Sequence, residues 1–307
     1  MSNCTAELLA SAGRQYVRHC PGSLGKPWLA AKCLNPYLRD RPRRRVAQTR
    51  FGAAVPVDTQ DLIQRYIYMF GTWEPHMTRW LGQRLRPGDT FVDVGANIGY
   101  FSLLAAHLVG PSGRVVAIEA SPAFHRSVLA NARRNACRNV RAVNTAVSDA
   151  RGALRFTLAS SRNLGANSIV PYDGPAESCF EAQALPLTEV LTASEVAGAR
   201  VIKVDVEGAE GSVVRGMAPL LDQLRPDAEV TVEVTPERMS RLGDSVDELL
   251  ATMREHGFQA YRQPNDYAPE SYPAAIRCAN APLARLRGPV VEECDLVFSR
   301  VDADALP

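Results

Sequence analysis

The chain has 307 residues, of which 46% are hydrophobic and 22% charged, with 35 basic against 33 acidic side chains and a formal net charge of +2. That length and apolar content fit a globular protein of one or two domains and exclude low-complexity disorder, because enough apolar surface exists to offset the entropy of ordering. The near-neutral balance excludes the strong basicity of a protein that wraps nucleic acid, so no nucleic-acid partner is expected.

Residues 1–48 mix short apolar pieces with Pro, Gly and Arg and read as a helical appendage of unknown role, ahead of one domain over 49–307. Only three of the basic side chains are lysines, Lys26, Lys32 and Lys203. Against so arginine-rich a background, the run Arg39, Arg41, Arg43, Arg44 and Arg45 reads as a solvated charge run rather than an anion site. Leu62, Ile63, Tyr66, Ile67 and Phe70 form a helical stripe over 61–70. Thr72 can cap a second helix whose inner face is Met77, Trp80, Leu81 and Leu85, and these two preface helices (61–85) end in the turn Arg86-Pro87-Gly88-Asp89.

From Thr90 the pattern changes to short β-rich runs at 90–95, 114–119, 140–147, 201–206 and 230–234, alternating with helices over 98–109, 122–135, 210–224 and 245–256. Continuous apolar strands separated by helices predict an α/β domain with a doubly wound, mostly parallel, seven-stranded sheet covered on both faces. A last strand at 296–299 is expected to run antiparallel. Residues 152–191 interrupt the alternation, and their polar loop around Asn163, Asn167 and Ser168 is a candidate lid. Seven scattered cysteines, without C-x-x-C or zinc spacing, argue against disulfides and structural zinc. No apolar run approaches the ~18 residues of a membrane span, so no membrane partner is expected. The opening MSNCTAELLASAGRQ lacks the form of a secretory signal, so the expected address is the cytoplasm.

The first strand ends in Asp93-Val94-Gly95-Ala96-Asn97-Ile98-Gly99 and a helix follows. Glycines there let backbone N–H groups approach a ligand beyond the carboxyl end of the strand. Glu119, followed by Ala120, ends the second strand where a carboxylate can accept both hydroxyls of a ribose. Two nucleoside ligands then compete. A dinucleotide needs G-x-G-x-x-G, and its pyrophosphate would meet the like charge of Asp93 in a partly dehydrated pocket. S-adenosylmethionine, with its sulfonium and ammonium, suits acidic surroundings, and Ser148 and Asp149 can accept from its adenine amino group. The electrostatics favour the sulfonium cofactor.

Five segments, FGTWEP (70–75), DTFVDVGANIGYFSLLAA (89–106), IEASP (118–122), AVSD (146–149) and IKVDVEGAE (202–210), resemble the FkbM family of S-adenosylmethionine-dependent methyltransferases. The resemblance spans about residues 50–235. It implies a class I, Rossmann-like methyltransferase fold and O-methylation of a sugar or polyketide hydroxyl in natural-product biosynthesis. Methylation of carbon or nitrogen on the same fold is the enzymatic alternative, and a nucleic-acid-modifying protein using residues 39–45 is a weaker one.

Methyl transfer to a hydroxyl needs alignment and a proton acceptor. Asp205, at the end of the fourth strand, is the expected catalytic carboxylate, with Glu233 near the end of the fifth strand and His76 as further candidates. Lys203, Asp205 and Glu207 alternate and should share one face, and Lys203, buried in an apolar strand, should pair with Asp205 or Glu233. Tyr66, Trp73, Glu74, Asn163 and Glu207 are the expected acceptor-side residues. Metal dependence is disfavoured, because Val234-Thr235-Pro236 supplies no further ligands after the fifth strand. The expected partners are a small hydroxyl-bearing acceptor and, in a homodimer, a second copy of the chain.

Overall fold

The computed structural model describes residues 3–158, 167–170, 178–278 and 282–306. They form two compact units, one from residues 3–80 and 265–278, the other from the remainder. No helix among the described residues is long and apolar enough to cross a membrane.

The first unit opens with the helix Asn3–His19 and continues through a π-helical turn, Leu29–Leu34, into the helix Asn35–Asp40 and the antiparallel hairpin Arg44–Gln48 with Ala54–Asp58. The expected stripe forms the helix Leu62–Phe70, capped where Asp61 accepts from the Gln64 N–H and closed by Gly71 in the left-handed region. The second preface helix begins at Pro75 rather than directly after Thr72, since proline suits the first helical turn. Tyr66, Phe70 and Trp73 pack around Tyr272. Within the arginine run, Arg39 pairs with Asp40, Arg43 and Arg45 with Glu7, and Arg44 with Asp58. Arg43 and Arg45 thus share one carboxylate, and Arg41 lies over the Tyr37 ring, 5.1 Å from its centre.

The second unit is a twisted sheet. Its strands are β1 (Thr90–Val94), β2 (Arg114–Ile118), β3 (Val140–Val143), β4 (Ala199–Val204), β5 (Glu229–Val234), β6 (Gln259–Gln263) and β7 (Cys294–Ser299), in the spatial order 3-2-1-4-5-7-6. Two short strands, Leu283–Arg285 and Ala305–Leu306, extend the edge beyond β6. Only β7 among the seven runs against its neighbours β5 and β6. Helices α1 (Tyr100–Val109), α2 (Pro122–Arg134), α3 (Glu210–Leu221) and α4 (Val246–Glu255) connect the strands. Val92, Val204 and Val230 of the sheet share one core with Val213 and Met217 of α3 and Met253 of α4. The strand β6 escapes a pattern search because its sequence, QAYRQ, places one large apolar side chain among polar ones.

The run expected over 140–147 is divided. Val140–Val143 joins the main sheet, whereas Ala146–Val147 pairs with Ser178–Leu185 in a separate small sheet. The break falls at two polar residues with tertiary partners: Asn144 Nδ2 donates to the carbonyls of Glu119 and Ala120, and Thr145 Oγ1 to that of Gln183. The insertion is built on an antiparallel ladder of Gly152–Leu158 with Ser178–Leu185, where Phe156 stacks on Phe180 at 5.0 Å. Asn167 and Ser168 pair with Leu158 and Thr157, while the loop that carries Asn163 lies outside the described residues.

Glu195 ties the segment that follows this insertion to the sheet. It completes a capping box with Thr192 at the helix Ala193–Gly198 and takes a bidentate ion pair from Arg141 of β3 at 2.8 and 2.7 Å. Burial pushes its carboxyl up, but Arg141 and the Thr192 N–H outweigh that and hold it below the ordinary glutamate range. Its contribution is therefore present at neutral pH and lost as acidification protonates it. Glu195→Ala should cost about 2–4 kcal/mol in urea unfolding at pH 7, from the lost cap and the broken pair. The difference from the wild type should shrink towards low pH.

Candidate active site

The strand order reverses between β1 and β4: from β1 the chain moves outward to β2 and β3, then returns to place β4 on the other side. Ligands of open α/β sheets bind outside the carboxyl ends at such a switch point. Gly95, at φ 85°, ends β1 here, and a Cβ on it would lie 1.8 Å from the backbone oxygen of Asp205. Only glycine permits that approach. The turn's own donors are largely spent within the protein, since the N–H groups of Gly95 and Ala96 donate to the Ile118 carbonyl and that of Asn97 to Glu119. The glycine thus serves close packing of two strand ends, and the expected free donors at Gly95 and Ala96 are not there. Asn97, at φ 52°, accepts from the Ile98 N–H through Oδ1, and Gly99, at φ 85°, precedes α1.

Lys203 lies at the centre of the strand ends. It is 3% exposed, in register with Asp93 on β1, with its ammonium 2.7 Å from Asp205 Oδ2 and 5.0 Å from the centre of the Phe101 ring. Asp93 is 1% exposed and accepts from Ser102 Oγ at 2.5 Å. Burial raises the Asp93 carboxyl above the ordinary range, against the opposing pull of Lys203 and Ser102. Asp205 is a quarter exposed. Burial alone would raise it too, but Lys203, a hydrogen bond with Glu233 and the charge of Arg238 hold it lower than usual.

Glu207 leaves the alternation. β4 ends at Val204, Glu207 adopts φ 58°, and its carboxylate pairs with Arg238 instead of lining up with Lys203 and Asp205. Glu119 is 8% exposed and receives N–H donors on both oxygens, from Asn97 at 2.7 Å and Ser121 at 2.8 Å. Burial pushes its carboxyl up to about 7 despite those donors, with Asp93 and Asp205 adding to the rise. Ala120 beside it accepts from Asn144 through its carbonyl. Asp149 accepts from Arg215 of α3 at 3.0 Å and from Ser148 Oγ at 3.3 Å.

One acid here was not singled out from the sequence. Glu210, the first residue of α3, is fully buried, accepts from the Gly208 N–H at 2.9 Å through Oε1, and has no partner for Oε2 among the described residues. Burial, with the charge of Asp205 adding to it, pushes it up to about 7. A glutamate in the first turn of a helix usually signals a solvated favourable charge. Only the packing around it marks this one as buried.

The remaining candidates belong to the first unit. Tyr66 is 1% exposed and donates to the Tyr267 carbonyl at 2.8 Å. Trp73 stacks on the Tyr267 ring at 5.3 Å. Glu74, buried and at φ 38°, accepts from the Tyr267 hydroxyl at 3.3 Å. His76 is half-buried in the helix Pro75–Arg84, and burial followed by the charge of Arg79 lowers its imidazole below the ordinary range.

The Methyltransferase FkbM domain family matches residues 93–260, more than half of the chain. The chain belongs to this family. It is therefore a methyltransferase, and 58% of it aligns at 30% identity with 75% of the 31-O-demethyl-FK506 methyltransferase FkbM of Streptomyces tacrolimicus. A Protein-L-isoaspartate O-methyltransferase of Triticum aestivum is also 30% identical, over 56% of this chain and 71% of its own length. Among solved structures, the methyltransferase FkbM of Methylobacillus flagellatus superimposes with a TM-score of 0.43 at 13% identity, over 77% of this chain. The chain spans about half (52%) of that structure's length.

Gly95→Ala should be poorly tolerated, because the new methyl group meets backbone rather than a movable side chain and the positive φ is itself unfavourable. The expected cost is about 2–5 kcal/mol, read as a lowered urea midpoint. A change below about 0.5 kcal/mol would mean that β1 and β4 do not approach so closely.

Proposed function

We propose that the chain is an S-adenosylmethionine-dependent O-methyltransferase acting on a hydroxyl of a small molecule of the sugar or polyketide type. The observation that carries the cofactor assignment is the set of buried carboxyls at the ends of β1, β2 and β4, where Asp93 and Glu119 are raised by burial and by neighbouring acids, with Lys203 as their buried counter-cation. Such a field fits a cationic ligand. It opposes a pyrophosphate, as does a turn whose Gly95, Ala96 and Asn97 N–H groups are already engaged.

Glu119 would hold the ribose, since each oxygen takes one backbone donor and keeps a lone pair for a hydroxyl. Gly95, Ala96, Asn97 and Gly99 shape the turn beside it, Ser148 and Asp149 would meet the adenine edge, and Asp93 and Asp205 supply negative potential. When bound, S-adenosylmethionine carries a methyl group on a positively charged sulfur whose leaving form is a neutral thioether. Asp205 would orient the acceptor hydroxyl and take its proton, with Lys203 holding the carboxylate in place and Glu233 sharing the charge that arrives. A carboxylate held below its ordinary range is a weak base but stays ionised, which suits a proton lost late in the transfer. The O-methyl reading draws on the relatives' names, one a 31-O-demethyl-FK506 methyltransferase and the other an O-methyltransferase. The insertion over 152–191 is read as the acceptor's lid.

Glu119 must be ionised to accept two hydroxyls, so the affinity for S-adenosylmethionine should be constant above pH 8 and fall up to tenfold per unit below about 7. Calorimetry in buffers of different ionisation enthalpy should show proton release on binding near pH 7; a flat profile from pH 5.5 to 8.5 removes Glu119 from the site. Glu119→Gln should weaken binding roughly tenfold to a hundredfold, the worth of charge-assisted hydrogen bonds of about 1.5–3 kcal/mol.

Asp205→Asn should leave the fold and most cofactor affinity in place, since Asp93 remains beside Lys203. It should lower turnover about 10²- to 10⁴-fold in an assay of demethylated cofactor across hydroxylated polyketides and sugars. Turnover within a factor of a few of the wild type would exclude Asp205 as the proton acceptor.

A further inference from the structure

Four of the five arginines at 39–45 reach Asp40, Glu7 or Asp58, whereas Arg14, Arg18, Lys26 and Arg277 of the first unit reach no acid among the described residues. Arg14 Nε and Arg18 Nη1 both donate to the carbonyl of Tyr68, at 2.7 and 3.3 Å, and Arg18 Nη2 donates to that of Gln48. Arg50 joins them through the carbonyls of Phe70 and Arg18, both at 3.0 Å. Lys26, buried under the Tyr16 ring, donates to the Cys20 carbonyl, and Arg277, from the segment after residue 265, donates to that of Gly22. Gly71, left-handed at the end of the helix Leu62–Phe70, lets this packing form, because a Cβ there would lie 2.6 Å from Arg18 Nη2.

Each of these hydrogen bonds is to a backbone carbonyl, and Arg14 also lies over the Tyr68 ring, 4.1 Å from its centre. Neither Arg14, Arg18, Lys26 nor Arg277 has a carboxylate within ion-pair distance among the described residues. The carbonyls explain where the side chains point, since three of the donors satisfy the open end of the helix Leu62–Phe70. They do not explain the charge. A helix end carries the equivalent of roughly half a negative charge, against the full charges of Arg14 and Arg18, and Lys26 and Arg277 meet only single carbonyls. The groups feel each other: burial and then the charges of Arg14 and Arg50 hold the Arg18 guanidinium down to about 10, and Lys26 is lowered by burial and then by Arg277. Clustered cations with no acid are unfavourable unless an anion completes them.

We infer that the first unit carries a binding site for a phosphate-bearing ligand, formed by Arg14, Arg18, Lys26 and Arg277 around the turn that follows the helix Asn3–His19. Among the described residues, Arg14 spends only Nε on a protein acceptor, and Arg277 only Nη1. Their remaining N–H donors suit the paired oxygens of a phosphate, and a phosphate ester or pyrophosphate carries the two or more negative charges that such a cluster lacks. Arg18 and Lys26, both buried, supply field from behind, while the exposed Arg277 and half-buried Arg14 make the direct contacts. The site is separate in the chain from the acidic strand ends, whose charge would repel the same ligand.

The test is calorimetry and thermal unfolding of the full chain with inorganic pyrophosphate at constant ionic strength, beside sedimentation with phosphatidylcholine vesicles that contain or lack phosphatidic acid. Pyrophosphate should bind and raise Tm, with affinity lowered at least tenfold in Arg14→Ala and in Arg277→Ala. It should be unchanged in Arg44→Ala, an exposed arginine already paired with Asp58. Should Arg14→Ala fail to fold, Arg277→Ala, at an exposed position, still decides. Binding of free pyrophosphate points to a soluble phosphorylated ligand, whereas sedimentation with phosphatidic acid alone points to a lipid headgroup; either supports the site if Arg277→Ala abolishes it. Absence of both, or a loss in Arg44→Ala as large as in Arg277→Ala, overturns it.

Discussion

The ammonium of Lys203 is the charge around which the second unit's strand ends are arranged. It is buried in the sheet, in register with Asp93 and 2.7 Å from Asp205. A buried cation without counter-charge would cost several kcal/mol, and the carboxyls of β1 and β4 would repel one another without it. Asp93 is raised by burial while Asp205, beside the same lysine, is lowered. Lys203 pulls both carboxyls down, and it is the further hydrogen bonds and the charge of Arg238 at Asp205 that set the two apart. The pairing also needs β1 and β4 to lie close at their carboxyl ends, which the absent side chain of Gly95 allows.

Around that pair the protein places more acid than it neutralises. Glu119 and Glu210 are both pushed up to about 7, chiefly by burial. A raised carboxyl favours the folded chain at low pH and weighs against it as the pH climbs through the folded value. The site therefore holds unfavourable charge near neutrality, which a cationic ligand would relieve. Backbone donors hold Glu119 and Glu210 in position.

The two units handle charge differently. Acids dominate the strand ends of the second. In the first, dispersed arginines and a lysine meet on backbone carbonyls, and the conspicuous run at 39–45 is partly offset by Glu7, Asp40 and Asp58. A count of charges along the chain does not separate these two groups, since neutralisation depends on which acids fold back beside which cations.

Much of the second unit was legible from local pattern. Apolar runs of strand length, glycines at the turn after β1 and acids closing β1, β2 and β4 all follow from spacing, because strand burial and turn conformation act over a few residues. Family membership was legible for the same reason, in five short segments. Other features were decided only by packing across long separations. Asn144 and Thr145 divide a run that looks continuous, because their partners lie at Glu119, Ala120 and Gln183. Glu207 turns away because β4 ends before it and Arg238 receives it. Glu210 is buried although its position favours solvent, and Arg14, Arg18, Lys26 and Arg277 converge from places up to 255 residues apart in their contacts. Periodicity records which way a side chain faces along its own element. Burial and charge environment depend on what the rest of the chain places against that face, and only the tertiary structure decides that.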